Sequence, residues 1–284
     1  MKFKNFIFFI LTFLIIGCDG SYKSNDDEML YEMDPFLKSG GFIAVGNSGS
    51  ILTSPDGTLW TETERSPNIN LMDVYYRSST YLVVGASNQS VIYSSGLNIN
   101  TGIWKQRFLN EDSSFALEGI FHGIDMFVAV GNSGTILASS DGTSWSSRTS
   151  GTSNQLNSIT YGDSAFVAVG GNGTILTSLD NTSWSSRTSG TSNQLNSITY
   201  GGSTFVAVGS SGTILTSLDN TSWSSRTSGT SNQLNSITYG DSAFVAVGGN
   251  GTILTSSDGI SWTSRTSGTS NQLNSIIYRG STQF

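Results

Sequence analysis

An internal repeat constrains this chain more than any other feature. Trp60, Trp104, Trp145, Trp184, Trp223 and Trp262 stand 44, 41, 39, 39 and 39 residues apart. The stretch FVAVG starts at Phe127, Phe166, Phe205 and Phe244, with FIAVG at Phe42 and YLVVG at Tyr81. GTIL recurs from Gly134, Gly173, Gly212 and Gly251, and LNSI from Leu156, Leu195, Leu234 and Leu273. A fixed period near 40 residues restricts a chain to a solenoid or a propeller, because one unit alone cannot bury its apolar face.

Each unit reads as four short strands. LNSITY is rich in β-branched and aromatic residues, and FVAVG is apolar at successive positions, as a strand sandwiched between two sheets must be. TILTS and SWSSRTS follow, separated by turns such as Asn132-Ser133-Gly134 and Ser140-Asp141-Gly142, where Gly and Asn suit a positive φ. No stretch carries a capped 3.6-residue apolar period.

The ends of the array favour a ring. The first unit starts at Phe42 without an LNSI strand, and the last ends with an extra one, Leu273 to Tyr278. With the degenerate copies LMDVYY at Leu71 and LEGIFH at Leu117, each strand type occurs six times. A solenoid needs atypical polar caps, and the final repeat is almost a copy of the internal ones. The expected fold is therefore all-β, a six-bladed β-propeller of four-stranded blades, closed by the C-terminal strand beside Phe42–Gly46. Phe284 falls where a further FVAVG strand would start, so a seven-bladed or truncated array is the alternative.

The first 40 residues read as export and tether. Lys2 and Lys4 precede the uncharged run Phe6 to Ile16, too short to span a bilayer as a helix. Ile15-Ile16-Gly17-Cys18 resembles the lipobox of bacterial lipoproteins, with Leu14 one place further from the cysteine than usual. The resemblance implies a signal peptide over 1–17, lipidation of Cys18, and a location in the cell envelope, anchored to a bacterial membrane and either periplasmic or surface-exposed. Several acyl chains on Cys18 suffice for stable anchoring. Cys18 is the only cysteine, so no disulfide forms within the chain. Residues 18–40 form an acidic tether, and 41–284 the repeat domain. Removing Lys2 and Lys4 takes the formal charge from −7 to −9, which argues against a nucleic-acid partner.

The segment T-S-x-D-[G/N]-x-S-W, at Asp180 and Asp219 with Asp56, Asp141 and Asp258 in equivalent places, resembles the Asp-box of sialidase-like propellers, shortened by one residue. The resemblance implies a structural hairpin in which the carboxylate binds turn amides and the aromatic ring packs beneath. Each Asp stands alone in its turn, whereas an oxygen-ligand metal site needs several converging groups. No metal or cofactor is expected. The sialidase active site does not come with the motif: the arginines are equivalent by repeat, and no Glu follows Glu118 to complete a pair for glycoside hydrolysis. His122, the only histidine, has no partner in sequence for zinc or a triad and reads as packed in a strand.

Over residues 41 to 278 the chain is similar to Asp-box propellers of the photosystem II assembly-factor type, also often lipoproteins. That similarity implies a non-catalytic, membrane-anchored scaffold that binds a protein. The alternative is a multivalent lectin or adhesin that binds glycans between near-identical blades. Two sets of binding residues compete. The second unit is seven residues longer than its neighbours and adds Leu97, Ile99, Ile103, Lys105 and Phe108, an apolar patch on a lengthened loop or simply a tolerated insertion. The residue three after each Trp is Arg107, Arg148, Arg187, Arg226 or Arg265, either a basic ring for acidic groups and sugars or ordinary solvated arginine.

Overall fold

The computed structural model describes residues 42–54, 59–62, 69–77, 80–86, 90–95, 105–110 and 116–278. They form six antiparallel sheets, one per repeat. The sheets of blades 2 to 6 have four strands in sequence order, and that of blade 1 has three. Blade 4 is representative, with strands Leu156–Gly162, Ala165–Gly170, Ile175–Ser178 and Ser185–Arg187. The chain is thus an all-β, six-bladed β-propeller.

Side-chain alternation along FVAVG builds the core. Phe166 and Ala168 pack with Leu156 and Ile159 against Val128, Val130 and Ile136 of blade 3. The intervening Val167 and Val169 pack on Leu195, Ile198, Phe205 and Ala207 of blade 5. A strand with period two thereby feeds two cores at once, and each seam between blades is packed with apolar side chains. The first strands of neighbouring blades lie against one another around the axis.

Backbone and amide contacts fix the spacing. Gly171 N–H donates to Gln155 O (2.8 Å) at the end of the second strand. A Cβ on Gly170 would collide with that same carbonyl, so glycine closes each FVAVG strand. Between blades, the amides of Asn157, Asn196 and Asn235 donate to the carbonyls of Leu195, Leu234 and Leu273 (2.7–2.8 Å).

The closing strand departs from expectation. Residues 273–278 form no ladder, and Phe42–Val45 pairs only with Ile51–Ser54. The segment instead docks on blade 6, with Leu273 N–H donating to Gly248 O and Ile276 N–H to Ser236 Oγ. The same contacts hold inner strands to the preceding blade elsewhere, as from Leu71 N–H to Gly46 O and from Ile198 and Ile237 N–H to the hydroxyls of Ser158 and Ser197. Interblade hydrogen bonds therefore hold the segment in the inner-strand position, while Ile277 stays 84% exposed. The pairing with Phe42–Gly46 is not formed in this structure.

Candidate functional site

The blades have two ends. One carries the turns between second and third strands, such as Asn132–Gly134. The opposite end carries the Asp turns and the hairpins between first and second strands.

At the Asp turns the carboxylate organises the loop. Asp141 Oδ1 accepts from Thr143 N–H (2.7 Å) and Ser144 N–H (2.8 Å), and Ser139 Oγ donates to it (2.9 Å). Asp180, Asp219 and Asp258 repeat the pattern. The N–H groups of Ser144, Ser183, Ser222 and Ser261 lead in holding these carboxyls well below the usual carboxylate range. The turn aspartates therefore build hairpins, and among the described residues no three His, Cys, Asp or Glu side chains gather in a metal-binding group. The Trp rings pack beneath, with Trp184 6.5 Å from Phe166 between centroids. Where glycine follows the Asp, Trp Nε1 donates to its carbonyl, as from Trp145 to Gly142 and from Trp262 to Gly259. Where asparagine follows, at Asn181 and Asn220 (φ 58° and 54°), Nε1 of Trp184 and of Trp223 is buried without a partner.

The arginines are held along the outer strands. Nε of Arg187, Arg226 and Arg265 donates to the hydroxyl of Thr177, Thr216 and Thr255, each at 2.8 Å. In blade 3 that threonine is Ala138, and Arg148 Nε crosses to Asn181 O of blade 4 (3.0 Å). Arg107 is not equivalent to the other four. A register shift between Ile92 and Tyr93 puts Leu109 opposite Val91, where Arg148 stands opposite Ile136. The bulge in blade 2 displaces Arg107 to Ser94, whose hydroxyl accepts from Nε at 2.6 Å. Counting residues from Trp104 cannot reveal an unpaired residue in the ladder.

The second unit does break the symmetry, although partly elsewhere than expected. Phe108 lies in the outer strand Lys105–Asn110 and, with Leu117, Leu137, Ser90 and Arg148, lines a cavity of about 640 Å³ between blades 2 and 3. Lys105 is exposed at the strand's other end. The structure thus brings one residue of each rival set, Phe108 and Arg148, to a single cavity. Similar clefts at Arg226 and Arg265 are walled by Gly, Ser, Thr and Asn around one leucine, Leu215 or Leu254, without an aromatic residue. Cys18, Asp56, Leu97, Ile99 and Ile103 lie outside the described residues.

Two carboxylates of the inner strands escaped sequence reasoning. Asp73 Oδ2 accepts from Ile120 N–H of blade 3 (2.9 Å) and Oδ1 from Val74 N–H (2.9 Å). Burial raises its pKa to about 6 against the pull of these two donors. Burial also raises Glu118 on the adjacent inner strand. The signal was available: Asp73 stands where blades 4 to 6 have Ser158, Ser197 and Ser236. His122 is buried edge-on to Phe127 (4.4 Å between centroids) and stacked on Tyr75 (6.5 Å), in the place Tyr161 takes in blade 4.

The geometry defines a β-propeller repeat protein whose symmetry is broken at blades 2 and 3. No protein-family model matches the sequence, and no curated protein sequence matches it. Solved structures do. YCF48 from Cyanidioschyzon merolae superposes with a TM-score of 0.63 at 18% identity, covering 84% of this chain and 85% of that one. YCF48 bound to a D1 peptide gives 0.61 at 17%, covering 78% and 76%. A structure of a nidogen/laminin complex gives 0.59 at 13%, covering 83% and 97%. The fold shared with these structures is a β-propeller.

Proposed function

We propose that this protein is a lipid-anchored scaffold of the bacterial cell envelope that binds a segment of another protein and performs no catalytic step. The observation that carries the reading is the cavity between blades 2 and 3, where Phe108 and Leu117 join Leu137, which Leu215 and Leu254 match in the other clefts, beside Arg148. An apolar floor with one fixed cation and a hydroxyl rim suits a short peptide with an apolar side chain and a carboxylate. A structure with the same fold is described as bound to a peptide, which agrees with this reading. Cys18 after its apolar leader supplies the anchor, and residues 18–40 the tether.

The test has two arms. Pull-down from the native envelope with the wild type should retain a partner that Phe108→Ala and Arg148→Gln each lose without a change in melting temperature. Retention of every partner by both variants would refute the site. Cys18→Ala should abolish acyl labelling and membrane retention, and persistent labelling would refute the anchor. A second reading, a multivalent lectin, draws on the hydroxyl-lined clefts repeated at Arg226 and Arg265. It requires sugar-competable binding on a glycan array, with graded loss as those arginines are replaced.

A further inference from the structure

Large apolar side chains lie in water at the Asp turns of three consecutive blades. Leu179 of blade 4 is 68% exposed, Leu218 of blade 5 is 72% exposed, and Ile260 of blade 6 is 48% exposed. The fold does not require them. Ser140 and Ser257 take the leucine position in blades 3 and 6, and Thr143, Thr182 and Thr221 take that of Ile260. The same carboxylate-bonded turn forms in each case. Apolar residues that a hairpin can do without, repeated along one rim, mark a contact surface.

The charge around them is mostly of one sign, although Arg148 of blade 3 reaches Asn181 O in the blade 4 turn. Asp180, Asp219 and Asp258 sit on the same turns, and Asp163 and Asp241 on the adjoining hairpins, all exposed. The cations of blades 4 to 6 are Arg187, Arg226 and Arg265, whose Nε groups are held on Thr177, Thr216 and Thr255 of the third strands, one strand residue short of the turns. The turn N–H groups that hold Asp180, Asp219 and Asp258 below the usual range keep them ionised. Their Oδ1 atoms are taken by the turn amides, and the second oxygen of Asp219 accepts only from the exposed Ser222 hydroxyl at 3.1 Å. An anionic membrane surface attracts basic segments and disfavours such a face.

We infer that the Asp-turn rim of blades 4 to 6 is a second docking surface, for a polypeptide segment in which apolar residues alternate with Lys or Arg. Leu179, Leu218 and Ile260 take the apolar residues, and the aspartates between them take the cations and set the register. This surface is at the opposite end of the blades from the cavity at Phe108 and does not depend on it.

The test measures fluorescence anisotropy of three labelled synthetic peptides, of Leu-Lys, Leu-Glu and Ser-Lys repeats, with the full chain. The Leu-Lys peptide should bind in a salt-sensitive way, and the other two should bind at least about tenfold more weakly. The double variant Leu179→Ser/Leu218→Ser, which adopts residues that blades 3 and 6 already use, should weaken Leu-Lys binding by a similar factor at unchanged melting temperature. Asp163→Asn with Asp241→Asn should weaken it less and flatten the salt dependence. Phe108→Ala should leave it unchanged. Equal binding of the Leu-Glu peptide, or full binding by the leucine double variant, overturns the proposal. So does leucine-dependent binding to phosphatidylglycerol vesicles that exceeds peptide binding, which would make the rim a lipid contact. Leucine-dependent self-association in sedimentation would overturn it in favour of a second copy of the chain.

Discussion

Blades 2 and 4 build the same four-stranded sheet from different residues, whereas blades 4 and 5 are almost copies. Where blades 2 and 4 agree, at Leu71 and Leu156 or Val84 and Val169, the side chains fill cores between blades. Where they differ, the seam is built another way. Blade 4 bridges to blade 5 with the amide of Asn157 and the hydroxyl of Ser158. Blade 2 has Met72 there, 48% exposed, and the half-buried Asp73, whose carboxylate accepts from Ile120 N–H of blade 3. The contrast teaches that the repeated residues report what any blade needs to fold. The departures mark where this propeller is particular, and they cluster at the seam that also holds the Phe108 cavity.

The largest expected effect tests the shared half of that comparison. Trp184→Ala should lower stability by about 3 kcal/mol, as large-to-small changes beneath a core do, measured by denaturant unfolding. A loss under about 0.5 kcal/mol would mean that the rings only cover the turns.

The next prediction tests the particular half. Asp73 has an ordinary pKa of 3.8, raised by burial to about 6, so the folded chain holds this proton to higher pH than the unfolded chain does. Its contribution to stability is present below pH 4, is lost as the pH rises towards 6, and stays lost above. Asp73→Ser, the residue of blades 4 to 6, should remove that slope and gain about 2 kcal/mol at pH 7. The turn aspartates act in the opposite sense. Their lowered values give stability above the unfolded pKa, lost as acid drives the pH through the folded values. Wild-type melting temperature should therefore peak between pH 4 and 6, and the variant should show only the acid loss. An identical profile for the two would place the Asp73 charge in solvent.

The smallest effect distinguishes near-copies. Asn181 holds a positive φ with both amide atoms buried and unpartnered, and Trp184 Nε1 beside it has no acceptor. Gly142 and Gly259 avoid the first two faults and give their Trp a carbonyl. Asn181→Gly should stabilise by about 1 kcal/mol, and Gly142→Asn should destabilise by a similar amount. Loss of stability in Asn181→Gly would show that the amide has an unseen partner.

Much of this was legible in the sequence. The strand order, the six units and the hairpin role of the Asp turns follow from period and residue type, because a repeat that cannot bury itself must stack. Phe108 and the arginines could be singled out as departures or as repeats. Their meeting could not be read, since Phe108 and Arg148 lie on neighbouring blades and share a cavity only through packing. Arg107 was misplaced for a local reason, a bulge that shifts register without changing composition.

By itself, the sequence determined which residues must point into which core, since alternation along a strand and a 39-residue repeat leave little choice. Tertiary structure decided three further things: that the Asp73 carboxylate is desolvated against blade 3, that Leu179 and Leu218 are left in water, and that Leu273–Tyr278 docks on blade 6 without pairing with Phe42–Val45. Each depends on what the neighbouring blade covers. Coverage is a property of surfaces brought together by the whole fold, and a linear pattern does not contain it.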